Sequence, residues 1–159
     1  MKISIRKGFG FGLTSGIITT LGLMVGLAFG TSSKAIVLGG ILLIAIADAM
    51  SDALGMHISE EAGSKQTTKK EVWEATFSTV FFKFVFALTF AIPVLLFSLN
   101  MAVIIGIIWG LLLLTIFSHN IAKNRKERPI KAILEHVLIA AIVVIATYFI
   151  GTWIATWAI

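Results

Sequence analysis

The stretch "IVLGGILLIAIADAMSDALGMHISEEA", residues 36–62, decides the fold. Its first half is soluble in hydrocarbon. Its second half keeps that apolar background but sets two aspartates, Asp48 and Asp52, four residues apart within it, and His57, Glu60 and Glu61 follow closely. Residues four apart share one face of a helix, so a helical reading puts both acids on one stripe, continued by Met56 and Glu60. The length of the apolar run then decides what that helix is. A bilayer core about 30 Å thick is crossed by roughly 20 apolar residues rising 1.5 Å each.

Working outward, five stretches approach that length: about 8–30, 35–58, 75–97, 101–118 and 130–157. The third and fourth share a charge-free tract from Phe84 to Ala122, too long for one crossing, and "SLN" at 98–100 supplies turn residues that split it into a hairpin. Composition agrees. The 159 residues are 58% hydrophobic and 13% charged, against about 25% charged in soluble domains, and the mean hydropathy is +1.00. The expected fold is an all-α integral membrane protein, a single five-helix transmembrane domain over residues 1–159. The basic start "MKISIRKGFGFGLTSG" has the flank of a signal peptide, but no small-residue cleavage site stands out, so it is read as a retained first span. The longest loop, "SEEAGSKQTTKKE" at 59–71, is too short to fold alone and reads as a helical extension with a break at Gly63.

Charge sets the expected orientation. Eleven of the thirteen Lys and Arg residues lie before the first span (Lys2, Arg6, Lys7), between the second and third (Lys65, Lys69, Lys70) or between the fourth and fifth (Lys123, Arg125, Lys126, Arg128, Lys131). Five spans put all three segments on one side, which the positive-inside rule makes the cytoplasm. The N-terminus is then cytoplasmic and the C-terminus outside. The net charge of +5 is accounted for by orientation, and no nucleic-acid partner is needed. Cysteine is absent, which removes disulfides, thiolate metal sites and cysteine nucleophiles together.

In the first span Gly8, Gly12 and Gly16 recur every four residues, and Gly22, Gly26 and Gly30 do so after a phase shift. Small residues at this spacing let two helix backbones approach closely. Packing within one subunit and a homodimer contact through this glycine-rich first helix are both compatible with the pattern. Gly106 and Gly110 repeat it in the fourth span.

Asp48 lies about ten residues from the basic end of its span, roughly 15 Å deep. A charge at that depth costs several kcal/mol unless it is paired, protonated or wet, and two carboxylates one turn apart also repel. A divalent cation meets both demands: carboxylate oxygens suit hard ions, and a thioether from Met56 or Met50 adds a softer donor for Fe(II) or Mn(II). The competing solution is internal. Lys83, in the third span, is expected at about the depth of Asp52, and a buried Lys83–Asp52 pair would neutralise one acid and leave Asp48 to protonate. The two coexist if Lys83 is a gate that leaves when metal or a proton arrives. The candidate metal site is therefore Asp48, Asp52, Met56, Ser51 and Glu60, with Ser15, Thr19 and Lys83 lining or gating the pathway. His57, Glu61, His119 and His136 map near the basic helix ends and form a candidate cytoplasmic access site; the alternative is that His57 and His119 merely complement helix C-termini and the interfacial acids are simply solvated. No nucleophile, base and orienter are spaced together and no HExxH is present, so an enzyme is not expected.

Taken in order, "GLTSGIITTLGLMVGLAFG" (12–30), "AIADAMSDALGMHISEEA" (45–62), "AIPVLLF" (91–97) and "ATYFIGTW" (146–153) resemble the vacuolar iron transporter family, with the most specific match around Ala49, Ser51, Leu54 and Gly55. The resemblance implies a homodimer that exports Fe(II) or Mn(II) from the cytosol against protons, through a pathway lined by the first two helices. It implies a short prokaryotic-type member in the plasma membrane, without the cytosolic metal-binding insertion and without a permanently bound cofactor. Where the family carries an aspartate in the first helix, in an S-D-G triplet, this chain reads Thr14, Ser15, Gly16. The family's second-helix glutamate falls on Ile44 and its methionine on Asp52. The acids have moved into the second span. Two other readings stay open: a non-transporting scaffold or sensor with a buried Asp–Lys network, and a proton or monovalent-cation transporter.

Overall fold

The computed structural model describes residues 2–63, 66–126 and 128–157; Lys65 and the side chain of Arg125 lie outside them. Every element among the described residues is helical: α1 Ile3–Thr31, α2 Lys34–Leu43, a π-helical turn Ile44–Asp48, α3 Ala49–Gly63, α4 Lys69–Thr89, α5 Ala91–Leu96, α6 Leu99–Arg125 and α7 Pro129–Ala155. They make five helices long and apolar enough to cross a membrane, because α2, the π turn and α3 run on as one span and α4 with α5 as another.

The ends of these helices follow local chemistry. Ser32 takes a left-handed conformation (φ 51°) and donates its N–H to Ala28 O, closing α1, and the Ser33 hydroxyl accepts from the Ile36 N–H to open α2. At α4 a reciprocal capping box starts the helix at Lys69: the Thr68 side chain accepts from the Glu71 N–H while Glu71 Oε2 accepts from the Thr68 N–H at 2.9 Å. This box carries the third span well before its apolar run begins at Ala75. Pro93 has no N–H to offer Thr89 O, and the helix breaks at Phe90 between α4 and α5. The Thr89 hydroxyl instead donates to Phe86 O (2.6 Å) and accepts from Trp109 Nε1 (3.0 Å), tying the kink to α6. The break between the third and fourth spans is at Phe97, which is extended, and Ser98, as "SLN" implied.

α1 is the axis of the bundle, packed chiefly on α4 and α7 and also on α6 and α2. Its glycines make this possible. A Cβ on Gly12 would stand 2.6 Å from Thr79 O, and one on Gly8 would overlap Ala75 O, so the α4 backbone lies directly on this stripe. The second stripe receives α7: Gly30 lies on Gly151, and a Cβ on Gly151 would overlap Gly26 O. Both stripes are thus filled within one chain, the first of the two uses that the glycine spacing allowed. The physical reason is that in lipid, where no hydrophobic force separates helices from their solvent, the closest backbone approaches give the strongest packing, and the central helix of a single-chain bundle uses them all. Its hydrophobic window is 56% buried, against 28% for the second span. Leu13, Ile17, Leu21 and Met24 of α1 form the core with Phe90, Val94 and Leu114.

Candidate metal centre

The acidic stripe is displayed by the turn that precedes it. Ile44–Asp48 is π-helical, with the Ala49 N–H reaching Ile44 O five residues back. Such a turn inserts an extra residue into the helical phase and occurs often at functional sites. It separates the apolar face of α2 from the acid-bearing face of α3. The two acids turn toward α1 and α4, and Ser51 and Gly55 are left on the outer face, with open space around Gly55.

Lys83 of α4 is the centre of the site. It is 0% exposed, and its stem runs past Gly16, where a Cβ would sit 3.3 Å from Lys83 Cγ. A side chain at Gly16 would press on the Lys83 backbone and stem, which would have to give by a few tenths of an ångström. The ammonium Nζ lies 2.5 Å from Asp48 Oδ2 and 2.5 Å from Asp52 Oδ2, and it donates to Ser15 Oγ at 2.9 Å. Ser15 Oγ in turn donates to Asp52 Oδ2 at 2.5 Å. The two acids are not held alike. Asp52 Oδ2 accepts from both Lys83 and Ser15, whereas Asp48 Oδ2 is buried with charge contact alone and no aligned hydrogen-bond donor.

With all three groups ionised, two carboxylates surround one ammonium and the site keeps a negative charge. A lone ammonium at this depth would cost several kcal/mol; the pair removes that cost for Lys83 and leaves the second acid partly uncompensated. The acids are not sealed. The Asp48 side chain is 35% exposed and that of Asp52 22%. Among the sequence candidates the structure thus unites Asp48, Asp52, Ser15 and Lys83.

Others sit elsewhere. Thr19 donates its hydroxyl to Ser15 O at 2.7 Å, so it satisfies its own helix rather than the site. Ser51 is exposed on the outer face of α3 and Met56 is half-buried one turn beyond Asp52. Glu60 lies eight residues from Asp52, about 12 Å along the helix, where both its oxygens accept from Lys7 Nζ at 3.0 and 2.9 Å. The stripe therefore meets a lysine twice, Lys83 within the span and Lys7 at its end. A second tie at that end joins Lys2 Nζ to Glu74 at 2.5 Å, with Ser4 Oγ donating to the same carboxylate at 2.7 Å.

The histidines do not converge, which corrects the expected access site of His57, Glu61, His119 and His136. His57 rests against α4, with Nδ1 3.0 Å from Thr76 Oγ1, Nε2 3.6 Å from Glu61 and its ring against Trp73. His136 of α7 pairs with Ser118 of α6 at 2.7 Å, and His119 is exposed. Among the described residues no three His, Asp or Glu side chains gather to hold a metal. Each histidine followed its own helix, and α3 packs on α4 while α6 and α7 pack on one another. The contribution of Gly16 to the Lys83 channel was missed from sequence. The glycine was visible there, but its partner across α4 was not.

Residues 52–152 match the family model described as VIT family. The match covers Asp52 and Lys83 and stops short of Asp48 and Ser15. A search of curated proteins returns no match.

Proposed function

Because the chain belongs to the VIT family, a family of metal-ion transporters, we propose that it carries a divalent cation of the Fe(II) or Mn(II) kind across the membrane at the Asp48–Asp52 pair. The observation that carries the reading is the position of Lys83 Nζ, a cation already seated 2.5 Å from an oxygen of each acid. The tethered ammonium stands in for the cargo. Two anionic oxygens and the Ser15 hydroxyl around one point are a hard-ion donor set, and Met56, one turn along, offers a thioether to a borderline metal. A divalent ion entering this point displaces the Lys83 ammonium, which must swing away or release its proton; the proton that leaves couples metal movement to a proton gradient. Following the positive-inside rule, the basic end of the bundle faces the cytosol and export proceeds toward the C-terminal side. The absence of room for a metal-binding insertion after the second span supports a short prokaryotic-type member in the plasma membrane.

The alternative drawn from the same contacts is a locked network in which Lys83, 0% exposed, pins α4 to the second span and nothing is carried. Proteoliposome flux separates the two. The expected result is uptake of Mn(II) and Fe(II), with Co(II) and Zn(II) as competitors, driven by an imposed proton gradient. Flux of Na(I) or protons alone under the same gradient would instead select a monovalent-ion carrier.

We further propose that the working unit is a homodimer meeting along the second span rather than the first. Ile46, Met50, Leu54 and Ile58 project from its outer face, and Gly55 adds an open notch there. Because Asp48 and Asp52 turn toward α4 and α1 of their own chain, a two-fold axis along this face leaves each subunit with its own acid pair. The chain has no cysteine, so a single introduced thiol reports cleanly. Gly55→Cys in membranes is expected to form a disulfide dimer on mild oxidation while Ile104→Cys, on the exposed face of α6, does not. Equal cross-linking at both positions would mean random collision and would rule this interface out.

A further inference from the structure

We propose that the groove where α1, α6 and α7 meet at the basic end of the bundle binds one anionic phospholipid, its phosphate held by Arg6 and the start of its acyl chain laid on Phe9, Phe117 and Ile121. The groove encloses about 670 Å³. Its polar wall carries Arg6, Lys7, His136, Asn120 and Asn124, and among the described residues no carboxylate lines it. Two of these groups are already engaged, Lys7 with Glu60 and His136 Nδ1 with Ser118. The Arg6 guanidinium and the amides of Asn120 and Asn124 have no partner among the described residues, so a planar five-donor cation and two amides stand together without an acceptor.

The arrangement along α6 selects a lipid over a free anion. Asn124 and Asn120 lie toward the helix end and Phe117 lies deeper, about 10 Å of rise from first to last. Polar groups occupy the level of a headgroup and aromatic rings the level of the first methylenes. Phe9 completes the deep wall, its ring centroid 5.3 Å from that of Phe117, and Gly10 leaves the floor open, with nothing nearer to its absent Cβ than Phe117 at 3.6 Å. A basic pocket between transmembrane helices at the positive end is the setting in which anionic headgroups are held. Inorganic phosphate would use the first part of this site and none of the second.

The test uses the purified chain in detergent, with phosphatidylglycerol and phosphatidylcholine of identical acyl chains as probes, followed by native mass spectrometry and thermal unfolding. The expected result is one retained phosphatidylglycerol per chain and a stabilisation that phosphatidylcholine does not match. Arg6→Gln is expected to weaken phosphatidylglycerol about fivefold, with Arg6→Lys restoring part of it. Lys131→Gln, elsewhere on the same basic rim, should leave it unchanged. Gly10→Leu fills the floor without touching any charge and should displace the lipid as well, which keeps the site testable if the charge variant unfolds. Equal retention of the two lipids, equal loss in Lys131→Gln, or full protection by inorganic phosphate alone would each overturn the assignment. None of these outcomes bears on metal transport.

Discussion

Lys83→Met protein is expected to unfold at a lower temperature than the parent when divalent metal is absent, and to recover when Mn(II) is added. Removing one partner of a fully buried pair typically costs about 3–5 kcal/mol because the remaining charge is stranded. Here the stranded groups are Asp48 and Asp52, with side chains 35% and 22% exposed, so they are less than fully buried and about 2–3 kcal/mol is the expected size. For a chain of this length that is a fall of roughly 5–10 °C in Tm. The sharper part of the prediction is the rescue. With the ammonium gone, two carboxylates and Ser15 face an empty cation position, and metal at about 100 times its Kd contributes about 2.7 kcal/mol. The parent, whose own lysine competes for that position, gains less from the same metal. A locked packing network predicts the opposite: Lys83→Met loses stability and added Mn(II) returns none of it. Thermal unfolding of the two proteins across a Mn(II) titration decides between them.

Flux through Asp48→Asn/Asp52→Asn protein is expected to fall at least about tenfold at subsaturating Mn(II), since each asparagine keeps the shape of the acid and removes a charged ligand worth at least 1.4 kcal/mol to a divalent ion. The double variant leaves Lys83 buried without a counter-ion, so lost flux alone is open to a folding explanation. Two further proteins remove it. Asp48→Asn alone gives up one ion pair at 2.5 Å and half of the anionic charge, yet it keeps the hydrogen bonds that join Asp52, Lys83 and Ser15. Asp48→Asn/Asp52→Asn/Lys83→Met is neutral at the site, is expected to retain parent-like helix content and monodispersity, and should carry no metal. Parent-level flux in the double variant would place the pathway elsewhere in the bundle.

The same residues explain how far the sequence could be read. Five spans were legible because hydropathy belongs to each segment separately: a run of uncharged residues long enough to cross oil does so whatever its neighbours are. The hairpin break at "SLN" was legible for the same reason, and the family resemblance was legible in residues 52–62, where the family match covers it. The kink at Phe90 had its signal in Pro93, which the hydropathy of the run conceals.

What the sequence by itself determined, then, is the solvent of each segment and the presence of two acids and a lysine that oil does not tolerate alone. Only the tertiary structure decided how those needs are met. It seats the Lys83 ammonium against both aspartates through the channel at Gly16, spends both α1 glycine stripes on α4 and α7, and parts His57 from His119 and His136. The reason is that burial is a property of a helix, whereas a contact needs the rotation and depth of two helices at once. A five-residue π turn that ends at Asp48 alters that rotation without leaving a mark in composition or period.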